Sequence, residues 1–285
     1  MDGCGMRCAA ATVHVKSMPA RISPKREIYH GMYRNKRIAV NISAHNEEAL
    51  IARTLGDVPE FVDIIVVVDD CSQDGTYGIV YRSQQDDDRI KIIKRRRNTG
   101  FGGVTVAGYH YLMGQWVNII ANLNGDGQMD ASSLPAMLDA LIDGGLDMVK
   151  GDRLSHPDVG RIPWIRRSGG FLLSWLTSYV TGYHIRDSQH TYHVIKVDAL
   201  KRLRLGRLYK RFGYPNDFLI ECAKQGLKIK NHTVRPIYGE GETSVLKPWK
   251  VWPRILWILA KGWVQIRAAR VARKLDITVN ENPAY

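Results

Sequence analysis

Residues 62–76 read VDIIVVVDDCSQDGT. The β-branched run from Ile64 to Val68 predicts a strand over 62–69. The acidic, Gly-containing stretch after it predicts a sharp turn into a helix near Asp74, with Asp74, Gly75 and Thr76 as cap chemistry. The same unit of strand, polar loop and helix recurs on both sides. Strands are predicted over 37–43, 89–94, 116–123 and 146–150, and helices start near Asn46, Gly102 and Ser132, the last with Pro135 in its first turn. Repetition of this unit means an α/β fold: a mostly parallel central sheet with right-handed crossovers and helices on both faces.

Ligands of such sheets bind beyond the carboxyl ends of the strands. The loops there are unusually polar: AHNEE at 44–48, DDCSQDGT at 69–76, RRRNTG at 95–100, NGDGQMD at 124–130 and GDR at 151–153. All five converge on one rim. The first loop offers Glu47 and Glu48 where a dinucleotide fingerprint needs glycines facing a pyrophosphate, so hydride transfer is not expected, and no GxxxxGK[ST] exists, which excludes P-loop chemistry. Asp126 and Gln128, two residues apart after a buried strand, can put hard oxygen ligands on a divalent cation whose other ligands are the phosphates of a nucleotide.

Charge says where the chain meets its surroundings. Of its 285 residues 45% are hydrophobic, and the formal charge is +13. Residues 1–37 carry +6 and 245–274 carry +8, whereas 38–244 carry +1. A body so balanced, with carboxylates in its loops, is a poor groove for a polyanion, so nucleic acid is not an expected partner; basic ends suit an anionic membrane leaflet. Cys4, Cys8, Cys71 and Cys222 form no metal-type pair and fit reduced thiols in the cytoplasm. No stretch has the length and apolarity of a signal peptide or a membrane span: 98–125 is rich in Gly and Asn, and 168–185 is broken by Ser, Thr and Gly. Three parts are expected: a basic, flexible segment 1–36, a catalytic domain 37–245 and a basic, Trp-rich segment 246–285.

The pieces NISAHNEEALI, VVDDCSQDGT, RNTGFGGVTVAGY, NGDGQMD, KGDRL and DSQHTYHVI occur in one order between residues 41 and 195. In that order and spacing the chain resembles family 2 glycosyltransferases of the GT-A nucleotide-sugar-binding fold, and more narrowly the branch that includes dolichyl-phosphate mannosyltransferases and polyprenyl-phosphate glycosyltransferases. The resemblance implies a donor pocket lined by Ala44, Asn46 and Glu48, with Asp70 accepting from the base and Asn98 and Gly100 closing it. It implies Mg²⁺ or Mn²⁺ held by Asp126 and Gln128 against the diphosphate. Arg153, with Arg166 or Arg167, would bind an acceptor phosphate, and Asp187 and Gln189 would lie beside acceptor and sugar. Three positions depart from the family pattern. Asn124 replaces the first Asp of Asp-x-Asp, Cys71 replaces the Gly of Asp-Asp-Gly-Ser, and Thr191 replaces the Gly after Asp-Ser-Gln-x.

The nucleophile decides what else is needed. A hydroxyl acceptor requires a general base, for which Asp217 is the candidate. A lipid phosphate is already largely dianionic at pH 7 and needs cations to hold it, which the arginines supply. The expected activity is therefore an inverting transfer of a hexose from a UDP- or GDP-sugar to a polyprenyl or dolichyl phosphate, with Asp126, Arg153, Asp187 and Asp217 as the candidate catalytic residues. The alternatives are transfer to a sugar or protein hydroxyl, and a nucleotide-sugar-binding protein impaired by Asn124 and Thr191.

Four of the seven tryptophans, Trp249, Trp252, Trp257 and Trp263, fall in the C-terminal segment. Trp252, Ile255, Leu256, Leu259, Trp263 and Ile266 make one apolar stripe at helical spacing, with Pro253 placed to open the helix and basic residues around it. Too short an uncharged run to span a bilayer, it is expected to lie in the interface, making the protein peripheral at the cytoplasmic face of a membrane. Packing of the stripe against the catalytic domain is the competing expectation.

Overall fold

The computed structural model describes residues 32–237 and 248–281, with side chains over 32–237 and 251–271. The five predicted strands form as β1 (Ile38–Ala44), β2 (Ile64–Asp69), β3 (Ile90–Lys94), β4 (Ile119–Asn124) and β5 (Met148–Asp152). The helices between them are α1 (Ile51–Gly56), α2 (Thr76–Asp86), α3 (Phe101–Met113) and α4 (Leu134–Asp143). Helix α1 starts later than predicted because Asn46 takes a left-handed backbone, φ 57°, which a helix cannot include. After β5 come α5 (Trp164–Thr181), β6 (His193–Lys196), α6 (Val197–Lys201), α7 (Tyr214–Gln225), β7 (Ile229–Thr233) and α8 (Pro248–Glu281).

One sheet of seven strands runs β3-β2-β1-β4-β6-β5-β7. Every pairing is parallel except those of β6, which is antiparallel to both β4 and β5. The carboxyl ends of the other six strands therefore share an edge with the amino end of β6, and residues 187–192 enter that edge from the opposite chain direction. Both faces are covered. Along β2, Ile65 and Val67 join the cluster of Val40, Ile42, Leu134 and Leu138, while Val66 and Val68 join that of Tyr109, Leu112 and Phe218. Each such fully buried aliphatic side chain contributes roughly 1.5–3 kcal/mol, which fixes β2 as a central strand.

Helix α8 corrects two expectations. It begins at Pro248 and carries Pro253 inside, so Pro253 does not open it. The stripe is also split. Ile255, Leu259 and Ile266 are buried, with Ile258, against Leu173 of α5 and Ile220 and Ala223 of α7, whereas Leu256 is 44% exposed and Trp252 and Trp263 are half-buried. Gly262 lets α8 lie close against α7: a Cβ there would lie 2.8 Å from Ile220 Cγ1. The expectation that this stripe lies in a membrane interface is overturned, because its centre is part of the core. Trp249 is helical but its side chain lies outside the described residues, as does the segment 1–31. Residues 32–36 are docked, with Arg34 bridging Asp139 at 2.8 Å and Asp143 at 2.7 Å.

Candidate functional site

The rim is assembled by loops that bind one another. After β1, Asn46 donates its N–H to Ser72 Oγ at 3.0 Å and accepts the Gln73 N–H at Oδ1, 2.9 Å, which ties the first loop to the second. Glu48 accepts the Gly75 N–H at 2.6 Å, at the start of α2, so its carboxylate braces the 74–76 turn. Ala44 ends β1, and its carbonyl takes the Asp70 N–H at 2.9 Å. Asp70 is buried and accepts from Thr99 N at 2.8 Å, Thr99 Oγ1 at 3.0 Å and Gly100 N at 2.8 Å. Those three bonds occupy most of the roughly four acceptor positions of a carboxylate and leave room for one more donor. Asn98 closes the circle: its amide meets His45 Nε2 at 3.3 Å and its oxygen accepts the Gly100 N–H at 3.1 Å. Gly100 is required at its place, with φ 77° and the Lys210 carbonyl 2.7 Å from where a Cβ would sit. The predicted donor residues are thus brought together. Cys71 carries φ 63°, a left-handed conformation that glycine adopts without cost and that this turn imposes on a cysteine.

The next loop carries the candidate metal site. Asp126 Oδ1 accepts the Gln128 N–H at 3.1 Å across the turn made by Gly127, φ 64°. Burial pushes the Glu47 carboxyl up to about 7, and the negative charges of Asp126 and Asp74 add to the shift. Negative charge is crowded here and the donors are hard oxygens; both facts fit Mg²⁺ or Mn²⁺. Among the described residues no three His, Cys, Asp or Glu side chains make a ready ligand cluster, so the remaining ligands have to be amide, water or phosphate oxygens. Two of the three departures meet at this point: Thr191 donates its hydroxyl to Asn124 Oδ1 at 3.3 Å, linking the end of β4 to the segment before β6.

Arg153 and Asp187 form the other half of the rim. The Arg153 Nε donates to Asp187 Oδ2 at 2.8 Å, and the pair is 14% and 1% exposed. Burial alone would raise the Asp187 carboxyl, but the Arg153 guanidinium, with the Lys150 ammonium, outweighs it and holds it well below the usual carboxylate range. Gln189 donates to Ser188 Oγ and to Asn216 Oδ1, both at 3.0 Å, which anchors the segment to α7. Arg166 and Arg167 sit in the first turn of α5, Arg166 exposed and Arg167 half-buried. Asp217 has different company: it accepts the Tyr209 N–H at 2.8 Å, burial raises its carboxyl, and the charged groups around it are Lys224, Lys261 and Glu221 of α7 and α8.

The sequence reading did not single out His45, Lys150 or Asn216, and it took Glu47 only as a repellent of phosphate. A second carboxylate beside Glu48 in a short loop was the one available signal. Neither did it foresee the outer face of α5. Trp164, Phe171, Trp175 and Tyr179 are 71%, 50%, 64% and 67% exposed, and Trp175 stacks on Tyr179 at 6.4 Å. Leu173, Ser174 and Thr177 face inward, so one helix presents aromatic side chains to solvent beside Arg161 and Arg166. Among the described residues no helix is long and apolar enough to cross a membrane.

Comparison with known proteins agrees with this geometry. Residues 39–204 match the model of glycosyl transferase family 2. The chain is 27% identical over 240 residues to the UDP-N-acetylglucosamine–dolichyl-phosphate N-acetylglucosaminyltransferase of Methanococcus voltae, covering 78% of this chain and 96% of that one. It is 24% identical over 252 residues to the undecaprenyl-phosphate mannosyltransferase of Micrococcus luteus, covering 81% and 98%. In fold it is similar to glucosyl-3-phosphoglycerate synthase of Mycobacterium tuberculosis, solved with Mn²⁺, UDP-glucose and phosphoglyceric acid, at a TM-score of 0.59 and 17% identity over 81% of this chain and 80% of that one. The family match spans both the loops that bind one another after β1 to β4 and the Arg153–Asp187 pair, and the chain belongs to the family 2 glycosyltransferases.

Proposed function

We propose that the protein transfers a hexose, with inversion, from a UDP- or GDP-sugar to a polyprenyl phosphate at a membrane surface. The observation that carries this reading is Arg153, held by a buried carboxylate at the rim, on the stretch of chain that leads into the aromatic outer face of α5. A guanidinium fixed by Asp187 carries a permanent positive charge at the rim, where a phosphate would meet it. A phosphate dianion is its own nucleophile, so the chain has to hold and aim it without removing a proton. Asn46, Asp70 and Asn98 would bind and orient the nucleoside. Asp126 and Gln128 would hold the divalent cation, which when bound offsets charge on the diphosphate leaving group. Attack from the face opposite that leaving group inverts the anomeric carbon. The surroundings of Asp217 do not favour a hydroxyl acceptor, since its neighbours belong to the α7–α8 packing.

The membrane contact is assigned to α5 in place of the α8 stripe. Indole and phenol rings suit the interface, and Arg161 and Arg166, with Arg254, Lys261 and Arg267 of α8, would meet anionic headgroups on the cytoplasmic face. A panel of nucleotide sugars scored for UDP or GDP release tests the activity. Release that depends on polyprenyl phosphate, and that Arg153→Lys weakens mainly through the acceptor KM, is expected; release unaffected by any lipid phosphate would overturn the reading. Replacing both Trp175 and Tyr179 by Ser should abolish sedimentation with anionic liposomes.

A further inference from the structure

Lys150 is a lysine in the middle of a central strand. It is 3% exposed, pairs across the sheet with His193 of β6, and its Nζ donates to the His190 carbonyl. His190 in turn donates its N–H to Asp187 Oδ1 at 3.1 Å, and Asp187 holds Arg153. One buried ammonium thus stands behind the whole 187–190 turn. A small cavity around it is lined by His190, Thr191, His193, Tyr214 and Phe218. An ammonium of this burial is costly, and a structural strand position would be filled equally well by an apolar side chain.

We infer that Lys150 is a positioning residue for the acceptor phosphate: it pins the 187–190 turn through the His190 carbonyl and offsets the buried carboxylates Asp187 and Asp152 that stand beside Arg153. The inference rests on the acceptor reading above. Arg153 with the buried carboxylates Asp187 and Asp152 sums to −1, which repels a dianion. The Lys150 ammonium brings the four groups to neutrality, and its loss restores the −1.

The neighbours of Lys150 make its charge sensitive to pH. Burial pulls the ammonium down to about 8; Asp187 and Asp152 oppose this and Arg153 adds to it. His190 and His193 are pushed far down by burial and stay neutral, with His193 Nε2 facing Tyr109 Oη at 2.7 Å. Burial holds the Tyr109 and Tyr214 phenols above their ordinary range, so they stay neutral as well. Asn231 of β7, beside Lys150 in register, carries no charge. Of the groups facing this cavity, Lys150 is therefore the one that changes charge between pH 7 and pH 9.5.

Binding of farnesyl phosphate, followed by titration calorimetry from pH 7 to 9.5, tests this. The ligand remains a dianion throughout. Affinity should fall about tenfold as the pH rises, and Lys150→Met should bind about tenfold more weakly at pH 7 with no further pH dependence. Lys150→Gln, which keeps a donor for the His190 carbonyl, should share the flat profile. Arg153→Met is the control: if the parent protein does not bind farnesyl phosphate, or Arg153→Met binds it equally well, the acceptor reading fails and the inference falls with it. If Arg153→Met loses binding while Lys150→Met keeps the parent affinity and slope, the role of Lys150 alone is refuted. A flat profile in the parent protein refutes it even if the variants do not fold.

Discussion

Glu47→Gln should make the metal-free protein more stable, although it removes a group at the candidate active site. The Glu47 carboxyl is pushed from 4.5 to about 7 by burial and by Asp126 and Asp74. At about 1.36 kcal/mol per unit that is an upper bound of roughly 3 kcal/mol against the charged form, and partial solvent access reduces it to ~1–2 kcal/mol. A carboxyl whose folded pKa lies above its unfolded one binds more protons when folded. The penalty is therefore absent below about pH 4.5, grows as the pH rises toward 7 and is constant above it. Melting in EDTA should show Glu47→Gln and the parent protein nearly together at pH 4.5. At pH 8 the variant should melt about 2–8 °C higher. Added Mn²⁺ should narrow or reverse the gap, because a cation beside Asp126 relieves the crowding that penalises Glu47. A variant less stable than the parent at pH 8 without metal, or a gap that does not change with pH, would refute the electrostatic account of this loop.

Asp187→Asn leaves Arg153 buried without its carboxylate and should cost about 3–5 kcal/mol of stability at pH 7. Because the folded Asp187 is held below the ordinary range, that difference should shrink as the pH falls below about 4, as read by urea melts from pH 7 to 3. Asn124→Asp should tighten Mn²⁺ binding in calorimetry, and its effect should be non-additive with Thr191→Gly, since the two side chains share a hydrogen bond at 3.3 Å. Gly262→Val should destabilise the fold by about 1–3 kcal/mol through overpacking on Ile220, and Ile220→Ala should recover part of that loss in a double-mutant melt.

The first half of the sheet was legible because β1 to β5 are apolar runs ended by turn residues, and the polar loops after them could be placed on one rim before any coordinates. Strands β6 and β7 were not legible. HVIK has four residues with polar ends, and IKNHT is an edge strand whose side chains are largely half-buried or exposed, so neither shows a period. The site was legible by residue type and less so by role. Glu48 and Asp70 were expected against the nucleoside, yet their oxygens are engaged with backbone N–H groups of neighbouring loops, which no motif reveals. Lys150 was hidden for the opposite reason: a lone lysine at the end of the predicted strand 146–150 reads as solvated, whereas β5 runs on to Asp152. The α8 stripe was found correctly as a stripe, but sequence spacing does not say whether a helix turns its apolar side to lipid or to protein.

The reversed strand β6 gives the molecule a seam. The strands on one side of it, β3-β2-β1-β4, belong to the half proposed to hold the nucleotide, while β5, the 187–192 segment and α5 belong to the half proposed to meet the acceptor. Side-chain links such as that of Thr191 to Asn124 cross at the rim. Because the two halves are consecutive in the chain, the region 151–192 can drift or be exchanged as one cassette while the nucleotide half stays under its own constraints. A fold of this design can change what receives the sugar without relearning how to hold the donor.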